Sequence, residues 1–187
     1  MTTLRIFADQ DQPQLLEEHQ STAAIEAHMQ SIGVLFRRWA VVDGIGPQTP
    51  SEEVLRAYSG PLEALQDEFG FSAMDVVALF PDHPGAAAAR EKFLQEHTHA
   101  DFEMRYFAAG GGLFYLRQNG RVYVLLCTAG DLISVPAGMT HWFDMSEAPY
   151  FVALRFFTQA DGWVAEFTGD DVAKRYAPMQ PLPEAGR

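Results

Sequence analysis

The feature that most constrains the fold is the run "LFYLRQNGRVYVLLC" at 113–127, where Asn119-Gly120 joins two apolar segments rich in aromatic and β-branched residues. Both turn residues tolerate positive φ, and a two-residue turn of that kind matches the twist of paired strands, so the segment reads as a β-hairpin. The same character runs through the back of the chain. "AGDLISVPAGMTHWFDM" and "PYFVALRFF" are further short strands bounded by turn residues. Their spacing, about 8–12 residues, is that of a barrel or sandwich. The front differs, because its first ninety or so residues read mainly as helix with one early strand. "STAAIEAHMQSIG" opens on a Ser-Thr capping pair and stops at Gly33. "VLFRRWAVV" is the strand. "TPSEEVLRAYSG" has a serine cap and an acidic first turn, and "PLEALQDEFG" and "GAAAAREKFLQEH" are two more helices edged by Pro or Gly.

Length and charge bound the function. At 187 residues the chain suits one domain, 1–187, with a mostly helical front part (1–96) and strands over 97–168. Hydrophobic residues at 48% and charged residues at 20% describe a chain able to bury a core. The 13 Lys+Arg against 25 Asp+Glu leave a net charge of −12, which argues against a nucleic-acid partner or an anionic membrane surface. The start, "MTTLRIFADQDQPQ", has no apolar run of signal-peptide length, so a cytoplasmic location is expected. The single cysteine, Cys127, sits in an apolar strand and reads as a buried, inert thiol.

Chemistry concentrates in "EHTHADFEMRYFAAGGG" at 96–112. His97, His99, Glu103 and Arg105 share one parity, so an extended strand would present two imidazoles, a carboxylate and a guanidinium on one face. Imidazole and carboxylate donors without thiolates suit a first-row transition ion and disfavour structural zinc. His141 follows a Pro-x-Gly turn in "GDLISVPAGMTHW" and extends the set. His19 and His28, on expected helices, and His83, in a turn, read as ordinary surface histidines. Arg105 has two readings, a partner for Glu103 or a fixed positive charge for a substrate.

These spacings resemble the two cupin motifs: His97-x-His99-x3-Glu103-x6-Gly110, then Gly130-x5-Pro136-x-Gly138-x2-His141. The positions often held by a glycine before the first histidine and an asparagine after the last are Glu91 and Met145 here. More narrowly, "KFLQEHTHADFEMRYFAAGGGLFYL", "FPDHPG", "PAGMTHWFDM" and "VALRFF" resemble the acireductone dioxygenase family of methionine salvage. The resemblance implies a mainly β fold with added helices, a cupin-type, jelly-roll-like β-barrel with N-terminal helices packed outside.

It further implies one Fe(II) or Ni(II) ion per chain, held by His97, His99, Glu103 and His141, with two coordination positions left for the vicinal oxygens of an enediol. Arg105 would promote formation of the substrate dianion, and carbon–carbon cleavage by O2 would follow. In that family iron is associated with the 2-keto acid of methionine plus formate, and nickel with methylthiopropionate, formate and carbon monoxide. Glu96 would support the ligands from behind or take part in metal incorporation. Phe102 would couple conformational change to the site. Phe107, Phe143, Arg155 and Trp163 would line the substrate pocket, although aromatic residues at strand spacing are more often core. The expected partners are a small-molecule enediol and O2, and the expected state is a monomer. Because fold alone does not fix function, another metal-dependent cupin enzyme and a non-catalytic ligand-binding cupin are the competing readings.

Overall fold

The computed structural model describes residues 1–159 and 164–176. The front of the chain gives β1 (Thr3–Ala8), β2 (Gln14–His19), α1 (Thr22–Ser31), β3 (Leu35–Arg38), α2 (Ser51–Ala57), α3 (Ser59–Phe69), β4 (Ala73–Leu79) and α4 (Ala86–Phe93). The back gives β5 (His97–Thr98), β6 (Glu103–Gln118), β7 (Arg121–Thr128), β8 (Asp131–Val135), β9 (Thr140–Asp144), β10 (Phe151–Phe157), β11 (Glu166–Phe167) and a 3₁₀ turn at Val172–Arg175.

The long strand β6 organises the barrel by serving two sheets. Its first half lies between β10 and β8, with β4 outside β10 and β3 outside β8. Its second half lies between β7 and β9, in a sheet of order β11-β5-β9-β6-β7-β1-β2. The change of sheet falls at Gly110-Gly111-Gly112. Gly110 has φ 61°, and a Cβ there would stand 1.7 Å from the Tyr150 carbonyl oxygen; one on Gly111 would stand 2.0 Å from that of Cys127. Only glycine allows so close an approach of strands. The β10–β6 register also slips between Val152 and Ala153, so the inward set passes from Glu103, Arg105 and Phe107 to Phe114 and Leu116.

Both faces of β6 are therefore buried. Inward, Phe107, Phe114 and Leu116 meet Leu4, Ile6, Leu125, Ile133, Phe143 and Phe151 in the barrel interior, and Ile25 and Met29 of α1 join the same cluster. Outward, Met104, Tyr106 and Ala108 lie under Val54 of α2, Tyr58 between the helices, and Leu62 and Leu65 of α3. The fold is mainly β, a cupin-type barrel with helices on its outside. The expected hairpin is present, with Asn119 at φ 54° and Gly120 at φ 69°. Cys127 is buried, and burial pushes its thiol pKa well up.

The front departs from a reading of helices plus one strand, since β1, β2 and β4 are strands too. They owe their form to distant partners: β1 pairs with β7 and β4 with β10. His19 accordingly ends a strand and does not lie on a helix. Ser21 caps α1 as expected, accepting from Ala24 N at 3.2 Å. Ser51, by contrast, is already helical; Pro50 occupies the cap of α2, and no side chain bonds there.

Candidate metal centre

Two short antiparallel strands and one strand start gather the donors. His97 of β5 lies directly opposite His141 of β9, and Glu103 is the first residue of β6. His99 does not continue a strand from His97 to Glu103, because residues 99–102 form a turn. Asp101 builds that turn. Its buried carboxylate accepts from Phe102 N at 2.8 Å, Thr158 N at 2.7 Å, Thr158 Oγ1 at 2.8 Å and Gln159 N at 3.2 Å, and it ties the loop to the end of β10. Sequence reasoning missed Asp101, although an aspartate just before a strand is an ordinary turn-forming residue.

The four donor atoms of His97, His99, Glu103 and His141 lie within 4.8 Å of one another, and all four residues are buried. Glu103 Oε2 stands 2.8 Å from His141 Nε2 and 3.4 Å from His99 Nε2. Bonds of about 2.1 Å to one ion put neighbouring ligand atoms about 3.0–3.4 Å apart, so these separations suit a shared ion. The imidazoles are oriented for it. His97 Nδ1 donates to Gln95 O at 2.6 Å, His99 Nδ1 to Val164 O at 2.9 Å and His141 Nδ1 to Met139 O at 2.8 Å. With each Nδ1 proton so engaged, each Nε2 presents a lone pair, the form in which imidazole binds metals. A cation among them, a metal ion or a proton on an imidazole, reconciles those nitrogens with the facing carboxylate.

The charges agree. Burial, helped by His141, pushes the His97 imidazole down to about 4, so it is neutral at pH 7. Burial also opposes charge on Glu103, yet Arg105 and the neighbouring imidazoles outweigh it and hold the carboxyl well below its ordinary range. Arg105 bonds Glu103 Oε1 through Nη2 at 2.5 Å, so the expected structural partnership exists. Its guanidinium also sits over the rings of Phe143, Phe114 and Phe93 at 4.9, 5.3 and 5.4 Å. Among the described residues its Nε has no hydrogen-bond partner.

A cavity of about 220 Å³ opens at this end of the barrel. His97, His99, Glu103, Arg105 and Arg155 line it, joined by Ala89, Lys92 and Phe93 from α4 and by Phe157. The helix is clamped over β9 by a two-point ion pair, Arg90 to Asp144, at 3.0 and 3.2 Å. The contribution of α4 was missed from sequence because a helix preceding the motif says nothing of where it docks. Arg155 is held by Asp75 at 2.9 and 2.5 Å. Phe143 packs against Arg105 and Phe107 against Phe143 in the barrel interior, and neither lines the cavity. Phe102 faces Phe69 of α3, with ring centres 6.4 Å apart. Glu96 turns away from the four donors and accepts from Arg117 Nη1 at 3.2 Å and Thr168 Oγ1 at 2.6 Å. Trp163 lies outside the described residues.

A cupin-type barrel with three inward imidazoles and a carboxylate at one end defines the class: a metal-binding cupin. The sequence matches the ARD/ARD' family over residues 3–165. It is 46% identical over 184 residues to an acireductone dioxygenase of Parvibaculum lavamentivorans, covering 98% of this chain and 100% of that protein. With the Aquifex aeolicus acireductone dioxygenase the identity is 45% over 176 residues, covering 94% of this chain and 95% of the other. Among solved structures, an acireductone dioxygenase from Bacillus anthracis with a cadmium ion in its active centre superposes with a TM-score of 0.76 at 25% identity, over 89% of this chain and 98% of that one. The chain belongs to the acireductone dioxygenase family, a family of oxidoreductases.

Proposed function

We propose that the chain, acting as one domain over 1–187 and as a cytoplasmic monomer, cleaves an acireductone, an enediol with a thioether tail, using O2. The observation that carries this reading is the set of three imidazoles, each fixed through Nδ1 to a backbone carbonyl, converging with Glu103 beside a buried guanidinium. His97, His99, Glu103 and His141 would hold Fe(II) or Ni(II), and the ion when bound would supply a Lewis acid for the enediol oxygens and a meeting point with O2.

Arg105 supplies positive charge on the cavity wall. Fixed by Glu103 and three aromatic rings, it favours loss of both enediol protons and stabilises the resulting dianion. Arg155 adds a second cation at the same wall, since its backbone pairs with that of Arg105 across β10 and β6. Ala89, Phe93 and Phe157 form the apolar side that suits a thioether. Glu96, behind the first ligand, anchors β5 to the Thr168 segment and so keeps His97 in place.

The ligand set itself admits either metal. Protein loaded anaerobically with one equivalent of Fe(II) is expected to consume O2 with acireductone and yield the 2-keto acid and formate. The Ni(II) form is expected to yield methylthiopropionate, formate and carbon monoxide. Decay of acireductone in air at its uncatalysed rate with both metals would overturn the proposal.

A further inference from the structure

A second cluster of metal-binding side chains lies at the far edge of the same sheet. Glu17 and His19 project from one face of β2, two residues apart, and His28 reaches them from α1; their donor atoms lie within 4.8 Å of one another. In the order β11-β5-β9-β6-β7-β1-β2 this places the cluster five strand positions from His97, each step about 4.8 Å. It shares no residue with the barrel centre.

Glu17 Oε2 and His19 Nε2 are hydrogen-bonded, His28 stands just outside hydrogen-bond range, and the spacing of the three donors also suits ligands around one ion. Glu17 divides its oxygens: Oε1 faces Arg121 Nη1 at 3.4 Å, whereas Oε2 faces both imidazoles. That oxygen is 3.1 Å from His19 Nε2 and 3.6 Å from His28 Nε2. The longer separation exceeds hydrogen-bond range. Yet neighbouring ligands on an ion with bonds of about 2.1 Å stand about 3.0–3.4 Å apart, so a small adjustment of His28 completes a three-donor face. The imidazole rings are 4.2 Å apart and tilted by 32°. The backbone is set in advance, with only Gln20 and Ser21 between β2 and α1, and Ser21 capping the helix.

We propose that Glu17, His19 and His28 form a peripheral site for a divalent transition cation such as zinc, which clasps β2 to α1. Side-chain exposures of 37%, 25% and 30% leave one side open to solvent for the remaining water ligands.

The test uses holoenzyme already filled with one equivalent of nickel, titrated with zinc by calorimetry while free nickel is monitored. The expected result is uptake of one zinc per chain with no nickel released and a rise of a few degrees in melting temperature. His28→Gln and Glu17→Gln should each weaken that uptake at least tenfold and abolish the thermal shift, with dioxygenase turnover unchanged. Absence of zinc uptake by the parent, an unaltered isotherm in both variants, or nickel released in step with zinc bound would overturn the proposal.

Discussion

The barrel cluster and the β2–α1 cluster are made of the same donors, imidazole and carboxylate, at similar separations. They differ in what holds those donors. Every imidazole in the barrel ties Nδ1 to a backbone carbonyl, and Glu103 is fixed by Arg105. Among the described residues, neither His19 nor His28 has such an anchor, and all three side chains are partly exposed. Donor identity thus says which ions can bind, while anchoring and burial decide how firmly they are held and whether chemistry can be isolated from water.

The two clusters should part most sharply at Glu103. Glu103→Ala removes a ligand and leaves Arg105 buried without its partner, a loss of about 3–5 kcal/mol in unfolding free energy, together with nearly all bound metal. Denaturant unfolding and elemental analysis read the two effects. His97→Ala should also lose most of its metal, with smaller damage to the fold. Arg105→Ala should keep the metal yet lower turnover by about 10²–10³-fold, as expected for removing a charge aimed at a developing anion. Retained activity in either variant would contradict the assignments.

In metal-free protein, pH separates the imidazoles. The His97 pKa is depressed by burial from 6.5 to about 4, so the unfolded chain binds that proton first and stability falls as pH drops from 6.5 towards 4. Burial opposes charge on His99 too, but Glu103 outweighs it and raises the pKa, so its contribution is full below 6.5 and is lost as pH rises. Stability should therefore peak near the ordinary histidine value. His97→Gln should flatten the acid limb, and His99→Gln the alkaline one. Melting temperatures across pH 4–8 check this.

Sterics also distinguish barrel from periphery. Gly110→Ala meets the Tyr150 carbonyl and should cost several kcal/mol, whereas Gly33→Ala, with φ 79° but open space around it, should cost about 1 kcal/mol. Smallest of all, Glu17→Gln without added metal should change stability by less than about 1 kcal/mol, since its pairs are exposed.

Local signals were legible in the sequence. Asn119-Gly120, the Ser21 cap and the periodicity of α1 act over a few residues, and each is found in place. The strands β1 and β4 were not legible, because their pairing partners lie far along the chain. The candidate metal centre teaches a subtler point. Shared parity grouped His97, His99, Glu103 and Arg105 on one continuous strand, whereas β5 ends at Thr98 and a turn built on Asp101 carries His99 to the others. The residues converge through loop chemistry that parity does not encode. Nor could sequence show that α4 would roof the cavity, since docking depends on the pairing of Arg90 with Asp144, 54 positions apart.

On this reading, three anchored imidazoles and Glu103 hold the reactive ion. X-ray absorption of protein loaded with one equivalent of nickel tests it directly. The expected spectrum is a nitrogen and oxygen shell with three imidazoles, unchanged in His28→Gln and dismantled in His97→Ala. Sulfur in the shell, or an identical spectrum in His97→Ala, would contradict it.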